Sequence, residues 1–268
     1  MLETKRNNIT TKPLTTQVKP IIPICIDDYL NGSSTLTKKL IRQSAIDNTG
    51  GLSRVTKMRM FNSDNRLIQI LGYNIPATEC KVGKILVNVK GSTCNGCYAL
   101  GGNYQRYGHN KPGSKLYERL DHVLNNPLWK YAMVYLINNE SRLDFFRWHD
   151  AGDIQNDKHL ENIIWIANQL PNINFWLPSR EQSRIQKYIE SGNEIPANLN
   201  IRMSAYMVDA KPPKFRISGF TTSTVVKDKT PDYKTWLCPA TVKDNPKYCG
   251  NCTACWNSKI PNVSYNFH

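Results

Sequence analysis

Residues 144–180 read DFFRWHDAGDIQNDKHLENIIWIANQLPNINFWLPSR, and the fold is decided here. Phe145, Phe146 and Trp148, then Phe175, Trp176 and Leu177, make two short runs of large apolar residues bounded by polar or small ones, the pattern of buried strands. Between them Leu160, Ile163, Ile164, Ala167 and Leu170 recur at three- and four-residue steps, which gives a helix over 156–170 one apolar face. A second helix follows in REQSRIQKYIESG, with Ser179 placed to cap it and Gly192 to end it. LNIRMSA (199–205) and FRISGFT (215–221) repeat the strand signature. Strand, helix, strand, helix, strand predicts an α/β fold with a mostly parallel sheet and right-handed crossovers.

In such sheets chemistry gathers at the carboxyl ends of the strands. The first run delivers His149, Asp150, Gly152 and Asp153 there, the second Ser179, Arg180 and Glu181, the third Arg202 and Ser204, and the fourth Thr221 to Thr224. HDAGD alone reads equally as a turn, and Arg180 with Glu181 as a surface pair. Their joint position argues for one shared pocket. Asp150 and Asp153 suit the cationic part of a ligand, His149 a hydrogen bond, and Arg180 and Arg202 an anionic part.

Seven of the eight cysteines have metal-ligand spacing: Cys80, Cys94 and Cys97, then Cys238, Cys249, Cys252 and Cys255. Close C-x2-C pairs supply the turns and a distant cysteine the return that thiolate sites need. The run C-x2-C-x2-C favours an iron–sulfur cluster over zinc, and zinc remains the alternative metal. Seven thiolates divide naturally as three plus four, so one or two 4Fe-4S clusters are expected. A single ion shared by Cys94, Cys97 and two C-terminal cysteines is a further arrangement. The polar start MLETKRNNITTKPLTTQVKP has no apolar signal region, which sets a reducing, cytoplasmic compartment as the default and makes disulfides the minority reading. Cys25, among apolar neighbours in IIPICIDDY, reads as a buried free thiol.

The 268 residues are 40% hydrophobic with mean hydropathy −0.50, and no apolar run approaches the roughly 20 residues of a membrane span. No membrane partner is expected. Thirty-five basic against 21 acidic residues give a formal charge of +14, which attracts polyanions such as nucleic acid. Tyr104, Arg106 and Tyr107 in NYQRYGHNK put aromatic rings beside positive charge, as a base-stacking surface does and as ordinary helix packing also does. The expected organisation is a mobile basic arm over 1–25, an α/β unit over 26–230 and a cysteine-rich, metal-binding C-terminal extension over 231–268.

CNGCYA, an aromatic–small pair directly after C-x2-C, followed after a long helical span by FFRWHDAGD, resembles radical S-adenosylmethionine enzymes and, more closely, the phage-encoded gene product 88 family. IPATEC, CNGCYALGGNY, FRWHDAGDI, FWLPSRE, IRMSAYMVD and the C-terminal CPA and CGNCTACW segments carry the likeness over roughly residues 70 to 256. The resemblance implies a partial (β/α) barrel with an iron–sulfur cluster at its mouth, and a host-cell cytoplasmic location for a phage-encoded chain. In the radical enzymes three cysteines spaced C-x3-C-x2-C hold the cluster and leave one iron open for the amino and carboxylate groups of S-adenosylmethionine. This chain has Lys90 where the first of those cysteines would stand, and Cys80 is its candidate replacement by a looped return. By the same resemblance Gly152 and Asp153 fall at the strand end that holds the methionyl amino group, and Arg202 or Ser204 where its carboxylate or ribose is met.

Three function classes follow: an iron–sulfur enzyme using S-adenosylmethionine on an unknown small-molecule or macromolecular substrate, a metal-stabilised phage or mobile-element protein that binds nucleic acid, and a noncatalytic protein-binding scaffold. The polar strand ends favour the first.

Overall fold

The side chain of Asn156 accepts a hydrogen bond from the His159 N–H at 2.7 Å, and this cap starts helix α7 (Asp157–Gln169) between strands β3 (Phe145–Trp148) and β4 (Asn174–Ser179). The computed structural model containing them describes residues 26–32, 36–215, 220–227, 231–242 and 247–267. The arm expected over 1–25, with Cys25, lies outside the described residues, as do residues 216–219 of FRISGFT. Ahead of β3 come helices α1 (Ile26–Leu30) and α2 (Lys38–Asp47), strands β1 (Ser53–Phe61) and β2 (Leu67–Tyr73), the short helices α3 (Lys81–Leu86) and α4 (Gly102–Arg106), and helices α5 (Lys115–Asn125) and α6 (Trp129–Glu140). After β4 come helix α8 (Gln182–Glu190), then strands β5 (Leu199–Ser204), β6 (Thr221–Val226), β7 (Trp236–Leu237) and β8 (Asn262–Asn266).

The eight strands form one sheet in the order β1-β2-β3-β4-β5-β6-β8-β7, and only the β1–β2 hairpin is antiparallel. From β2 to β6 each strand lies beside its successor in sequence, and the apolar faces of α5 to α8 pack on one side. Phe146, Trp148, Phe175, Leu177, Ile201 and Met203 meet Leu120, Met133, Ile137, Ile163, Ala167 and Ile185 there. Because side chains alternate along a strand, Arg147, Trp176, Asn200 and Arg202 belong to the other face. That face is covered by the C-terminal segment, where Ala254, Cys255, Trp256 and Val263 pack with Trp176, Ile70 and Met60.

The sheet is not closed, so the barrel expectation reduces to an open, mostly parallel α/β sheet. Its last strand, β7, is two residues long and exposed, too short to pair across to β1. The cysteine-rich segment reaches both edges instead. The Cys238 N–H donates to the Ser264 carbonyl of β8 (2.9 Å), while the Cys249 and Gly250 N–H groups donate to the Arg59 carbonyl of β1 (3.0 and 3.1 Å). Residues 231–268 are also more than an appended extension, since β8 sits between β6 and β7. β6 reads TTSTVV and has no apolar alternation to advertise it. Hydroxyl and amide bonds hold it to β8: Thr222 Oγ1 donates to Asn262 Oδ1 (2.7 Å), and Thr224 Oγ1 and Ser264 Oγ lie 2.7 Å apart.

Arg202, fully buried on β5, fastens the C-terminal segment to the sheet. Its guanidinium donates to the carbonyls of Cys255 (3.0 Å), Ala254 (2.6 Å), Asn257 (3.0 Å) and Thr222 (3.1 Å), and Asn200 Nδ2 adds a second bond to Cys255 (2.8 Å). An apolar replacement strands those buried acceptors. Arg202→Met is therefore expected to lower the unfolding free energy by about 3 kcal/mol or more in chemical denaturation. Lys187→Ala, on the exposed side of α8, should change it by less than about 0.5 kcal/mol.

Candidate functional site

The chain leaving β2 makes a 3₁₀ turn over Ala77–Glu79, and Cys80 begins α3 from its end. The side chain of Glu181, which follows the β4 end, accepts from the Val82 N–H at 3.1 Å and pins α3 over the sheet. Cys94 and Cys97 lie in the next turn. Ser92 Oγ accepts from the Asn95 N–H (3.0 Å) and donates to the Leu86 carbonyl (2.5 Å), the Cys97 N–H returns to the Cys94 carbonyl (3.1 Å), and the Thr93 N–H reaches the Tyr206 carbonyl beyond β5 (2.8 Å). Helix α3 leads from Cys80 toward this turn. A Cβ built on Gly83 would lie 3.7 Å from both the Cys80 and Cys94 sulfurs and only 2.9 Å from the Cys80 Cβ, so the two thiols face one small space that glycine keeps open.

The neighbouring strand ends meet this group. Asp153 accepts from the Ile154 N–H (2.8 Å), Ser179 Oγ (2.7 Å) and the Arg180 N–H (2.9 Å), while the Arg180 side chain donates through Nε and Nη2 to Thr93 Oγ1 at 3.1 and 2.9 Å. Burial drives the Cys80 thiol well above its ordinary range; the Asp153 carboxylate and the Cys97 and Cys94 thiols add to the rise, and Arg180 opposes it. Burial raises Cys94 as well, against Arg180. Asp153 is itself pushed up to about 6 by burial, against the three hydrogen bonds it accepts. Gly152 is required where it stands, at φ +90°, because a Cβ there would come within 2.3 Å of Ile75 Cγ1.

Other expected site residues are placed elsewhere. His149, at φ +54°, turns its buried ring into the aromatic layer beneath α7, 5.2 Å from the His159 ring and 6.0 Å from Trp148. Burial lowers its pKa to about 3, so it is neutral, and among the described residues neither ring nitrogen has a hydrogen-bond partner. The Asp150 carboxylate is taken up by Arg147 (2.9 Å), Tyr98 (3.0 Å) and Tyr104 (3.1 Å), with a further short bond from the Tyr98 hydroxyl to its carbonyl. Arg202 serves the C-terminal segment. Ser204 stays at the β5 end, where its hydroxyl accepts from Ser223 at 3.1 Å.

Cys238, Cys249, Cys252 and Cys255 form a second group against the opposite, non-helical face of the sheet. Burial pushes Cys249 and Cys255 up to about 12, and the Cys249 shift is increased by the charges of the other three cysteines. Cys80 and Cys94 are raised by thiols of their own group, and Cys238, Cys249 and Cys255 by thiols of theirs. Arg147, which sequence reading passed over, connects the two regions. Paired with Asp150, it also lies 4.5 Å over the Trp176 ring and lowers the Cys249 and Cys255 thiols. The signal was its place in FFRWH: a charge alternating with Phe146 and Trp148 must face the other side of the strand. Tyr265 Oη, 3.3 Å from Cys255 Sγ, is the other neighbour that sequence reading missed.

Among the described residues no group of three or more His, Cys, Asp or Glu side chains stands ready to hold a metal ion. All seven described cysteines are free. In kind the donors are those of a soft-metal cluster: thiols, Cys94 and Cys255 buried and the other five partly buried, with the Gly83 space before Cys80 and Cys94. Among the described residues no helix is long and apolar enough to cross a membrane.

Fold and site define a class, α/β proteins with an open, mostly parallel sheet carrying a three-thiol group at its strand ends and a four-thiol group on the face opposite its helices. The profile of the Gene product 88 family matches residues 36–262, and the chain belongs to that family. No curated protein and no solved structure matches the chain.

The Asp153 shift has a pH signature. With a folded value of about 6 against an ordinary 3.8, the folded protein takes up the proton first. Its contribution to stability is complete below about pH 4 and is lost as the pH rises through 6. The stability advantage of the metal-free wild type over Asp153→Ala should therefore shrink by about 2 kcal/mol between pH 4 and 7 in denaturant titrations; a constant difference would contradict the assignment.

Proposed function

We propose that the protein is an iron–sulfur enzyme of the radical S-adenosylmethionine type, with an open cluster held by Cys80, Cys94 and Cys97 and a closed cluster held by Cys238, Cys249, Cys252 and Cys255. The observation that carries this reading is the meeting of three thiols, from the loop after the first parallel strand, with Asp153 and Arg180 from the following two strand ends. Three thiolates leave one iron of a 4Fe-4S cluster without a protein ligand, and four close the other. A bound and externally reduced cluster would supply the one electron that reductive cleavage of S-adenosylmethionine requires.

The chain's own residues do the binding. Asp153 offers a carboxylate to a ligand ammonium, and burial strengthens that attraction. Arg180 is fixed by Thr93 through Nε and Nη2, which leaves its Nη1 donors for a ligand carboxylate. Ser204 provides a hydroxyl toward a sugar. Holding the reacting group in place is the main service such residues give, since orientation removes the entropic part of the barrier.

The test is anaerobic iron, sulfide and zinc analysis with the visible spectrum. About eight irons and absorption near about 400 nm are expected, and about half the iron should be lost in either Cys94→Ser/Cys97→Ser or Cys252→Ser/Cys255→Ser. Reduced wild type given S-adenosylmethionine should release 5′-deoxyadenosine and methionine, and the Cys94→Ser/Cys97→Ser protein should not. Stoichiometric zinc without that absorption would exclude iron–sulfur chemistry and leave a metal-stabilised binding protein. Intact clusters with no cleavage would exclude the radical reaction.

A further inference from the structure

From Cys80 to Tyr117 the chain contains no Asp or Glu, yet it carries Lys81, Lys84, Lys90, Arg106, Lys111 and Lys115. Lys115 pairs with Glu118; among the described residues the other five have no carboxylate partner, and all five are exposed. The whole segment lies at the carboxyl ends of the strands and includes all three thiols of the first group. In a chain with 21 acidic residues this acid-free run gives the outer rim an excess of positive charge, while Asp150, Asp153 and Glu181 lie inside it at the strand ends.

The rim also carries a connected series of rings. Tyr98 lies edge-on to Tyr104 (6.4 Å between centroids), Tyr104 to His109 (5.7 Å), and His109 leans on Tyr107 (6.0 Å). Tyr98 and Tyr107 are 56% and 67% exposed, unusual for rings with apolar neighbours to pack against. The hydroxyls of Tyr98 and Tyr104 are both bound by Asp150, which Arg147 in turn holds. Tyr98 is thus a fixed ring with its polar end satisfied and its surface facing solvent. It directly follows Cys97.

We propose that the substrate presented to the three-thiol site is a single-stranded nucleic acid, its phosphates on the basic rim and its bases stacked on Tyr98 and Tyr107. This rests on the iron–sulfur reading for the site and adds the substrate class. Exposed rings interleaved with unpaired cations are the complement of a strand whose base faces are free, whereas a duplex hides those faces. A base seated on Tyr98 lies next to the thiol group, where the enzyme reading needs its target.

The test uses full-length, metal-loaded protein and fluorescence anisotropy with labelled single-stranded DNA, single-stranded RNA and a duplex of equal length. Either single strand should bind at least tenfold more tightly than the duplex, and the two single-strand arms tell DNA from RNA. Tyr107→Ala should weaken single-strand binding about tenfold and Tyr107→Phe should restore it, with visible spectrum and iron content unchanged. Arg106→Ala should reduce the salt dependence by about one phosphate contact. Absent binding at low salt, equal affinity for the duplex, or an unaltered Tyr107→Ala protein would overturn the proposal even with clusters intact. Anaerobically purified and reconstituted protein that takes up no iron or sulfide yet binds single strands would sink the iron–sulfur reading and leave the nucleic-acid surface standing.

Discussion

The buried guanidinium of Arg202 organises the half of the protein that helices do not cover. Four carbonyls converge on it, three from residues 254–257 and one from β6. A parallel sheet needs both faces covered, and here α5 to α8 take one while a segment with almost no regular structure takes the other. Such a segment cannot satisfy its own backbone carbonyls. A planar donor set fixed in the sheet does it for them, so the position of Cys255, and with it the four-thiol group, follows from one side chain on β5.

Arg147 does the related work one strand away. Its charge is shared between Asp150, the Trp176 ring and the field of Cys249 and Cys255. Asp150 in turn fixes Tyr98, the residue after Cys97. Tyr98, Asp150 and Arg147 are thus joined by a hydrogen bond and an ion pair between the two regions.

Local signals exposed the helix-facing half of the fold. The three- and four-residue period over 156–170 and the aromatic runs of β3 and β4 report contacts made within a few dozen residues. The other half depends on partners far apart in sequence. Thr221 to Thr224 pair with Asn262 and Ser264 through hydroxyls, and no apolar alternation marks either strand, so β6 was expected several residues early and β8 was assigned to an extension. Cysteine spacing pointed to the two sets of thiols, and the structure places Cys80 and Cys94 before the same small space beside Gly83. His149 and Asp150 sat in the expected motif but turned to other work, because the positive φ of His149 sends its ring into the helix layer and Arg147 neutralises Asp150. Side-chain direction at a tight turn is set by tertiary packing, which motif reading does not contain.

On the proposed reading the seven cysteines make two metal sites and not one. Anomalous diffraction at the iron absorption edge from anaerobically grown crystals tests it most directly. The account predicts two iron peaks, one among Cys80, Cys94 and Cys97 and the other among Cys238, Cys249, Cys252 and Cys255; a single peak bridging the groups, or peaks at the zinc edge alone, would contradict it.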